Sequence, residues 1–108
     1  MNFDLVEYIR QSGFTQTRNS DKRDIFEKDY FHPLHDATYK VCVTIFYDSG
    51  YSKFNSYSVW LMTIELIPST NDKKNLTVFN GIAPTTFDQA ADLFELSLPT
   101  TEYLQKRN

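Results

Sequence analysis

The chain has 108 residues, a formal charge of −3, a hydrophobic fraction of 41% and an aromatic content of 16%. That length suits one core, and a mildly acidic chain with intermixed charges excludes nucleic-acid binding through a basic face, which needs clustered Lys and Arg. Cys42 is the only cysteine, which excludes an intrachain disulfide and a cysteine-rich zinc site and implies a reducing compartment.

No basic region leads into an apolar run at the N-terminus, and no apolar stretch approaches the roughly 20 residues that cross a bilayer. The expectation is a soluble, cytoplasmic protein without a membrane partner.

In chain order, Asn2 to Ser12 reads as an amphipathic helix with Asn2 as cap and Leu5, Val6 and Ile9 as its apolar stripe. Gly13 ends it in the left-handed conformation, and Phe14 folds back on Ile9. A short strand over 14–17 follows, then a polar turn from Arg18 to Arg23. Asp24 to Tyr30 places Phe26 and Tyr30 on one side, and its charges predict an edge strand. The stretch from Phe31 to Ala37 reads as a loop, because Pro33 lacks the N–H that a strand interior uses.

The strongest signal lies in residues 39–66. Tyr39, Val41, Val43, Ile45 and Tyr47 alternate on one strand face, and Trp60, Met62, Ile64 and Leu66 do so on a second. These runs predict a long antiparallel pair, with Trp60 buried beneath a helix. The connection contains Asp48-Ser49-Gly50 and Tyr51 to Tyr57, so the hairpin is ragged or its tip is a loop of about ten residues. Pro68 to Asn75 is turn-like, and Leu76 to Ile82 is a further strand whose Asn80-Gly81 suits a bulge or tight turn. A second helix begins at Thr85 or Thr86; with Thr86 as cap, Gln89 completes a capping box. Phe87, Ala90, Ala91, Phe94 and Leu98 share its face, and Pro99 ends it.

The order predicts an α+β fold: an antiparallel meander of four to five strands with an N-terminal and a C-terminal helix, in a two-layer sandwich. Residues 1–99 form the single domain and 100–108 a polar C-terminal tail. The outer sheet face is half apolar, with Cys42, Thr44 and Phe46 beside Val59, Leu61 and Thr63. Either the second helix crosses to that side or another polypeptide covers it.

Candidate sites are few. His32-x-x-His35-Asp36 has metal-ligand residue types, but only two histidines exist and a further ligand is missing, so two solvated loop histidines are expected and no metal. Asp24 with Glu27, and Asp88 with Asp92, read as solvated charges, and Cys42 as a strand residue. Asn80-Gly81-Ile82-Ala83 lacks the further glycines of a phosphate loop. No catalytic constellation or cofactor site emerges, and the expectation is a protein that is not an enzyme.

The hairpin tip carries the binding chemistry. Tyr47, Tyr51, Phe54 and Tyr57, interspersed with Ser, Asn and Gly, supply rigid rings and adaptable hydrogen bonds. Phe46, Val59 and Leu61 extend them into an apolar patch. The same rings folded over the end of the core are the competing expectation.

In layout the chain resembles small proteins of unassigned function from bacteriophages and mobile elements, including several anti-defence inhibitors. What carries the resemblance is Gly13-Phe14 closing a short helix, an aromatic meander, Phe79-Asn80-Gly81, and a closing helix opened by Thr86-Phe87-Asp88. It implies an inhibitor of a host protein and transfers no functional residue. The leading expectation is therefore a small binding protein acting on another protein. The alternative is a homodimeric module that binds or sequesters a nucleotide-like ligand.

Overall fold

Alternating apolar residues bring the central strands together face to face with the helices, and the computed structural model, which describes residues 3–47, 60–70 and 73–107, shows how. The elements are α1 (Leu5–Gln11), β1 (Thr15–Asn19), β2 (Arg23–His32), β3 (Ala37–Phe46), β4 (Leu61–Pro68), β5 (Leu76–Ile82), α2 (Phe87–Ser97) and α3 (Thr101–Arg107). The strands form one open antiparallel sheet in the order β1-β2-β3-β4-β5, so the α+β meander is present with five strands.

The β3–β4 register pairs Val43 with Ile64 and Ile45 with Met62. Val41, Val43, Ile45, Met62, Ile64 and Leu66 are fully buried on the inner face, together with Phe26 of β2. Leu5 and Ile9 of α1 and Phe94 of α2 belong to the same core cluster, as does Leu98, which caps α2. Both helices therefore bury their stripes against the inner face. Each of these side chains contributes about 1.5–3 kcal/mol by burial, more than any single cap or turn, which is why the alternation dominates the architecture.

The first helix starts later than its residue pattern suggests. Asp4, not Asn2, is the N-cap: its Oδ1 accepts from the Glu7 N–H at 3.1 Å. At the other end the Gly13 N–H donates to the Arg10 carbonyl and the Phe14 N–H to the Ile9 carbonyl, with Gly13 at φ 93°. This pair of reversed bonds is the Schellman arrangement, and it swings Phe14 into the core. Lys28 Nζ then donates to the Ser12 carbonyl at 3.0 Å and lies 4.6 Å from the Phe14 ring centre, tying the helix end to β2.

Several boundaries correct the expectation. Arg18 and Asn19 belong to β1 and Arg23 to β2, leaving only Ser20 to Lys22 for the turn. Ser20 closes it by donating from both N–H and Oγ to the Arg23 carbonyl. β2 is an interior strand, not an edge: it pairs with β1 on one side and β3 on the other. Glu27 and Asp29 project from a sheet face, perpendicular to the pairing direction, so their charge marks a wet face and says nothing of an unpaired edge.

The expected loop from Phe31 to Ala37 is narrower than its sequence suggests: Phe31, His32 and Ala37 are strand, and Pro33 to Asp36 form the turn. His32 pairs with Ala37 and Phe31 with Thr38, and Pro33 takes the first corner of the turn between them, where its fixed φ helps. Asn80-Gly81 lies in regular pairing with Thr63 and Met62, and the irregularity falls instead between Ile64 and Glu65.

Phe87 is exposed, because it opens α2 beyond the end of the sheet, whereas Ala90 and Phe94 are buried. The polar C-terminal segment forms α3, whose first turn is capped by Thr100 Oγ1 accepting from the Tyr103 N–H at 3.0 Å.

Candidate functional site

Of the residues expected to form the hairpin-tip surface, Phe46, Tyr47 and Leu61 are placed by the structure; Tyr51, Phe54, Tyr57 and Val59 lie outside the described residues. The three placed residues sit at the base of the β3–β4 hairpin but on opposite sides of the sheet. Phe46 and Leu61 are a directly opposed pair on the outer face, while Tyr47, one residue on, turns inward.

On the inner side Tyr47 anchors a polar and aromatic cluster. Its hydroxyl donates to Asp24 Oδ2 at 2.6 Å, and its ring meets Trp60 edge-on at 4.7 Å. Asp24 is only 7% exposed, and its Oδ1 is buried without a hydrogen-bond partner among the described residues. This corrects the expectation of a solvated charge: Asp24 shares the two-residue alternation of Phe26 and Tyr30, so it is carried to the core side of β2. Burial, the hydrogen bond to Asp24 and the charges of Asp24 and Asp4 all push the Tyr47 phenol far above its ordinary range. The group is a permanent donor at physiological pH.

Trp60 is 47% exposed and not buried beneath a helix. The strand register is nevertheless the expected one, because Met62, Ile64 and Leu66 face the core. Trp60 simply precedes β4, at the sheet end, and its carbonyl accepts from the Ala83 N–H at 2.9 Å. A ring in that position presents an edge to solvent with its other side held by Tyr47.

The outer face carries an apolar row across four strands. Arg23 pairs with Phe46, Phe46 with Leu61, and Leu61 with Ile82. The Arg23 guanidinium lies 5.4 Å from the Phe46 ring centre. Ile82 is 63% exposed, and Phe46 and Leu61 are half-buried. Since α1 and α2 pack against the inner face, neither of them shields this row. Cys42 lies half-buried on the same face, and burial pushes its thiol up, away from nucleophilic use.

The histidines are the second departure. His32 is buried, 7% exposed, and stacks on His35 with ring centres 3.7 Å apart and planes 2° from parallel. Its Nδ1 accepts from the Leu34 N–H at 3.2 Å and the His35 N–H at 3.4 Å, closing the β2–β3 turn. His35 Nδ1 meets the Tyr39 hydroxyl at 2.8 Å. Burial and the neighbouring His35 both lower the His32 pKa. With Nδ1 occupied by backbone donors, the pair works as a turn clasp. Among the described residues no group of three or more His, Cys, Asp and Glu side chains gathers as a metal-ligand set.

A third feature escaped the sequence reading. Phe3, Tyr8 and Phe87 line an open groove of about 620 Å³ between α1 and the start of α2, with Asp4 and Glu7 at its rim. Tyr8 contacts Phe3 and Phe87 at 5.9 and 5.5 Å between ring centres. Glu7 is already engaged by Arg10 and Gln11, so the groove offers little unpaired charge.

Comparison of the chain with protein-family models, with curated proteins and with solved structures returned no match.

Proposed function

We propose that this chain is a small, non-enzymatic binding protein of the cytoplasm that acts by occupying a surface of another protein, in the manner of a phage or mobile-element inhibitor of a host factor. The observation that carries this is the row Arg23, Phe46, Leu61 and Ile82, running across four strands on the face away from α1 and α2. An apolar centre flanked by an arginine and adjoining aromatic side chains is the composition of contact surfaces, where Trp, Tyr and Arg dominate the energetics. Trp60, held by Tyr47 at the same sheet end, adds a ring whose position is set before any partner arrives.

The test is Leu61→Lys. Both helices lie on the inner face, so the substitution leaves the core intact and should change stability by about 0.5 kcal/mol or less. Affinity capture from host lysate with wild type and Leu61→Lys should then differ in one partner, lost from the variant. Identical capture by both would remove the outer face from the function. In parallel, a nucleotide panel tests the alternative module: stabilisation of ~2.7 kcal/mol at a hundredfold excess over the dissociation constant would mark a ligand-binding protein instead.

A further inference from the structure

A second surface lies at the sheet edge, away from the hairpin base. Among the described residues β5 has a neighbour on one side only, and none of them covers the in-plane edge of the sheet at β5. The Ala83 N–H donates to the Trp60 carbonyl, and by the alternation of antiparallel pairing the N–H groups of Asn80 and Ile82 point away from β4. Edges are normally defended by charge, proline or a break in regularity. The opposite edge obeys this: β1 is five residues long, is polar throughout, carries Arg18, and has an irregularity between Gln16 and Arg18. β5 reads Leu76-Thr-Val-Phe-Asn-Gly-Ile82, without a charge or a proline; its own irregularity falls at Val78, which leaves the stretch from Phe79 to Ile82 in regular pairing.

The flank of that edge is also apolar. Among the described residues, three of the seven exposed large hydrophobic side chains are Leu76 and Ile82 of β5 and Leu96 of α2, Leu96 being 65% exposed. Between strand and helix runs a groove of about 510 Å³ lined by Val78, Phe79, Leu93 and Leu96. It continues past Gly81 and Ile82 as a second hollow of about 520 Å³. Gly81 keeps that passage open, since a Cβ there would stand 3.2 Å from the Phe79 ring.

The charge at the groove has one sign. Asp92 is its only charged lining residue and has no ion-pair partner among the described residues, and α2 as a whole carries Asp88, Asp92 and Glu95 with no basic residue. A second copy of the chain would bring acidic helix against acidic helix across a two-fold axis. A strand with apolar and basic side chains meets complementary partners instead.

We propose that β5 and α2 form a docking groove for an extended polypeptide segment rich in apolar and basic residues, which adds to the sheet as a sixth strand. Backbone pairing to the outward N–H and C=O groups of β5 holds the segment. Alternate apolar side chains enter the groove against Phe79, Leu93 and Leu96, and a lysine or arginine reaches Asp92. The site meets the outer-face row only at Ile82, and the groove lined by Phe79, Leu93 and Leu96 lies apart from that row.

The probe is a fluorescein-labelled eight-residue peptide alternating valine with lysine, titrated by anisotropy at physiological salt. Asn80→Pro removes an outward N–H without touching the β4 ladder, and Asp92→Lys reverses the groove's charge. Each should weaken binding about tenfold or more while circular dichroism stays that of the wild type. A peptide alternating valine with glutamate should fail to bind, and so should the lysine peptide N-methylated at alternate amides.

Equal affinity of wild type and both variants would overturn the proposal, as would absence of binding to wild type at millimolar peptide. Sedimentation supplies the remaining outcome. A wild-type dimer that becomes monomeric in Asn80→Pro would show that a second copy, and not a basic segment, occupies the edge.

Discussion

Replacing Tyr47 by phenylalanine isolates one interaction at the hairpin base. The ring keeps its place against Trp60, so packing is preserved, but the hydrogen bond of 2.6 Å to Asp24 is lost. Among the described residues Asp24 Oδ1 already lacks a partner in a site that is 7% exposed, so the variant leaves a buried side chain with no hydrogen bond from any of them. Removing a hydrogen bond to a charged buried group costs about 1.5–3 kcal/mol. At roughly 4–8 °C per kcal/mol for a domain near this size, the melting temperature should fall by on the order of 10 °C.

Urea unfolding followed by Trp60 fluorescence, with circular dichroism as a second probe, gives the free energy directly. The denaturant slope should match that of the wild type. Asp24→Leu made in the Tyr47→Phe background should recover most of the loss, because two apolar groups in place of a polar pair leave nothing unsatisfied. A fall of less than about 2 °C in Tyr47→Phe, or no recovery in the double variant, would refute the view of Asp24 as a buried group dependent on Tyr47.

Other outcomes follow from single positions. Gly13→Ala meets no atom within 4 Å but forces an L-residue to φ 93°, so it should cost roughly 1–2 kcal/mol by chemical denaturation. Met62→Ala, at a fully buried position opposite Ile45, should cost about 2–5 kcal/mol in the same assay.

In alkali, Tyr30 is pushed up to about 12 by burial, and Tyr47 is raised as well. Their contribution is whole below the unfolded phenol pKa of about 10 and is lost as pH rises through the folded values. Half-buried Lys28 is shifted downward and works in the opposite sense, so the measurement is the difference in alkaline melting curves between wild type and Tyr30→Phe, which should flatten.

In acid, His32 is held below its ordinary value, first by burial and then by His35. Stability is therefore full above the unfolded pKa of about 6.5 and declines as pH falls below it. His32→Asn keeps an acceptor for the turn's N–H groups and should remove that decline between neutral and mildly acid pH.

The periods of residues 39–47 and 60–66 were sufficient to specify the centre of the protein. Two runs with apolar side chains at every second position can bury them only as paired strands facing a common layer, and Met62, Ile64 and Leu66 lie where that rule puts them. The local stop signals were equally legible, since Gly13 and Thr86 act through atoms within a few residues of themselves.

What depended on distant parts of the chain was not legible. Asp24 carries the alternation of Phe26, but whether a charge in that phase is buried depends on Tyr47 arriving 23 residues later to donate to it. Trp60 holds the inward phase and is still exposed, because the sheet ends there, and no periodicity encodes where a helix ceases to cover a sheet. His32 is buried by the β2–β3 turn and the stacking of His35, a short contact made only when Phe31 and His32 extend the strand that Pro33 was expected to forbid. The edge at β5 has the same origin: strand order, not strand composition, decides which strand is last, and among the described residues the tertiary arrangement leaves the uncharged one paired on one side only, beside an acidic helix.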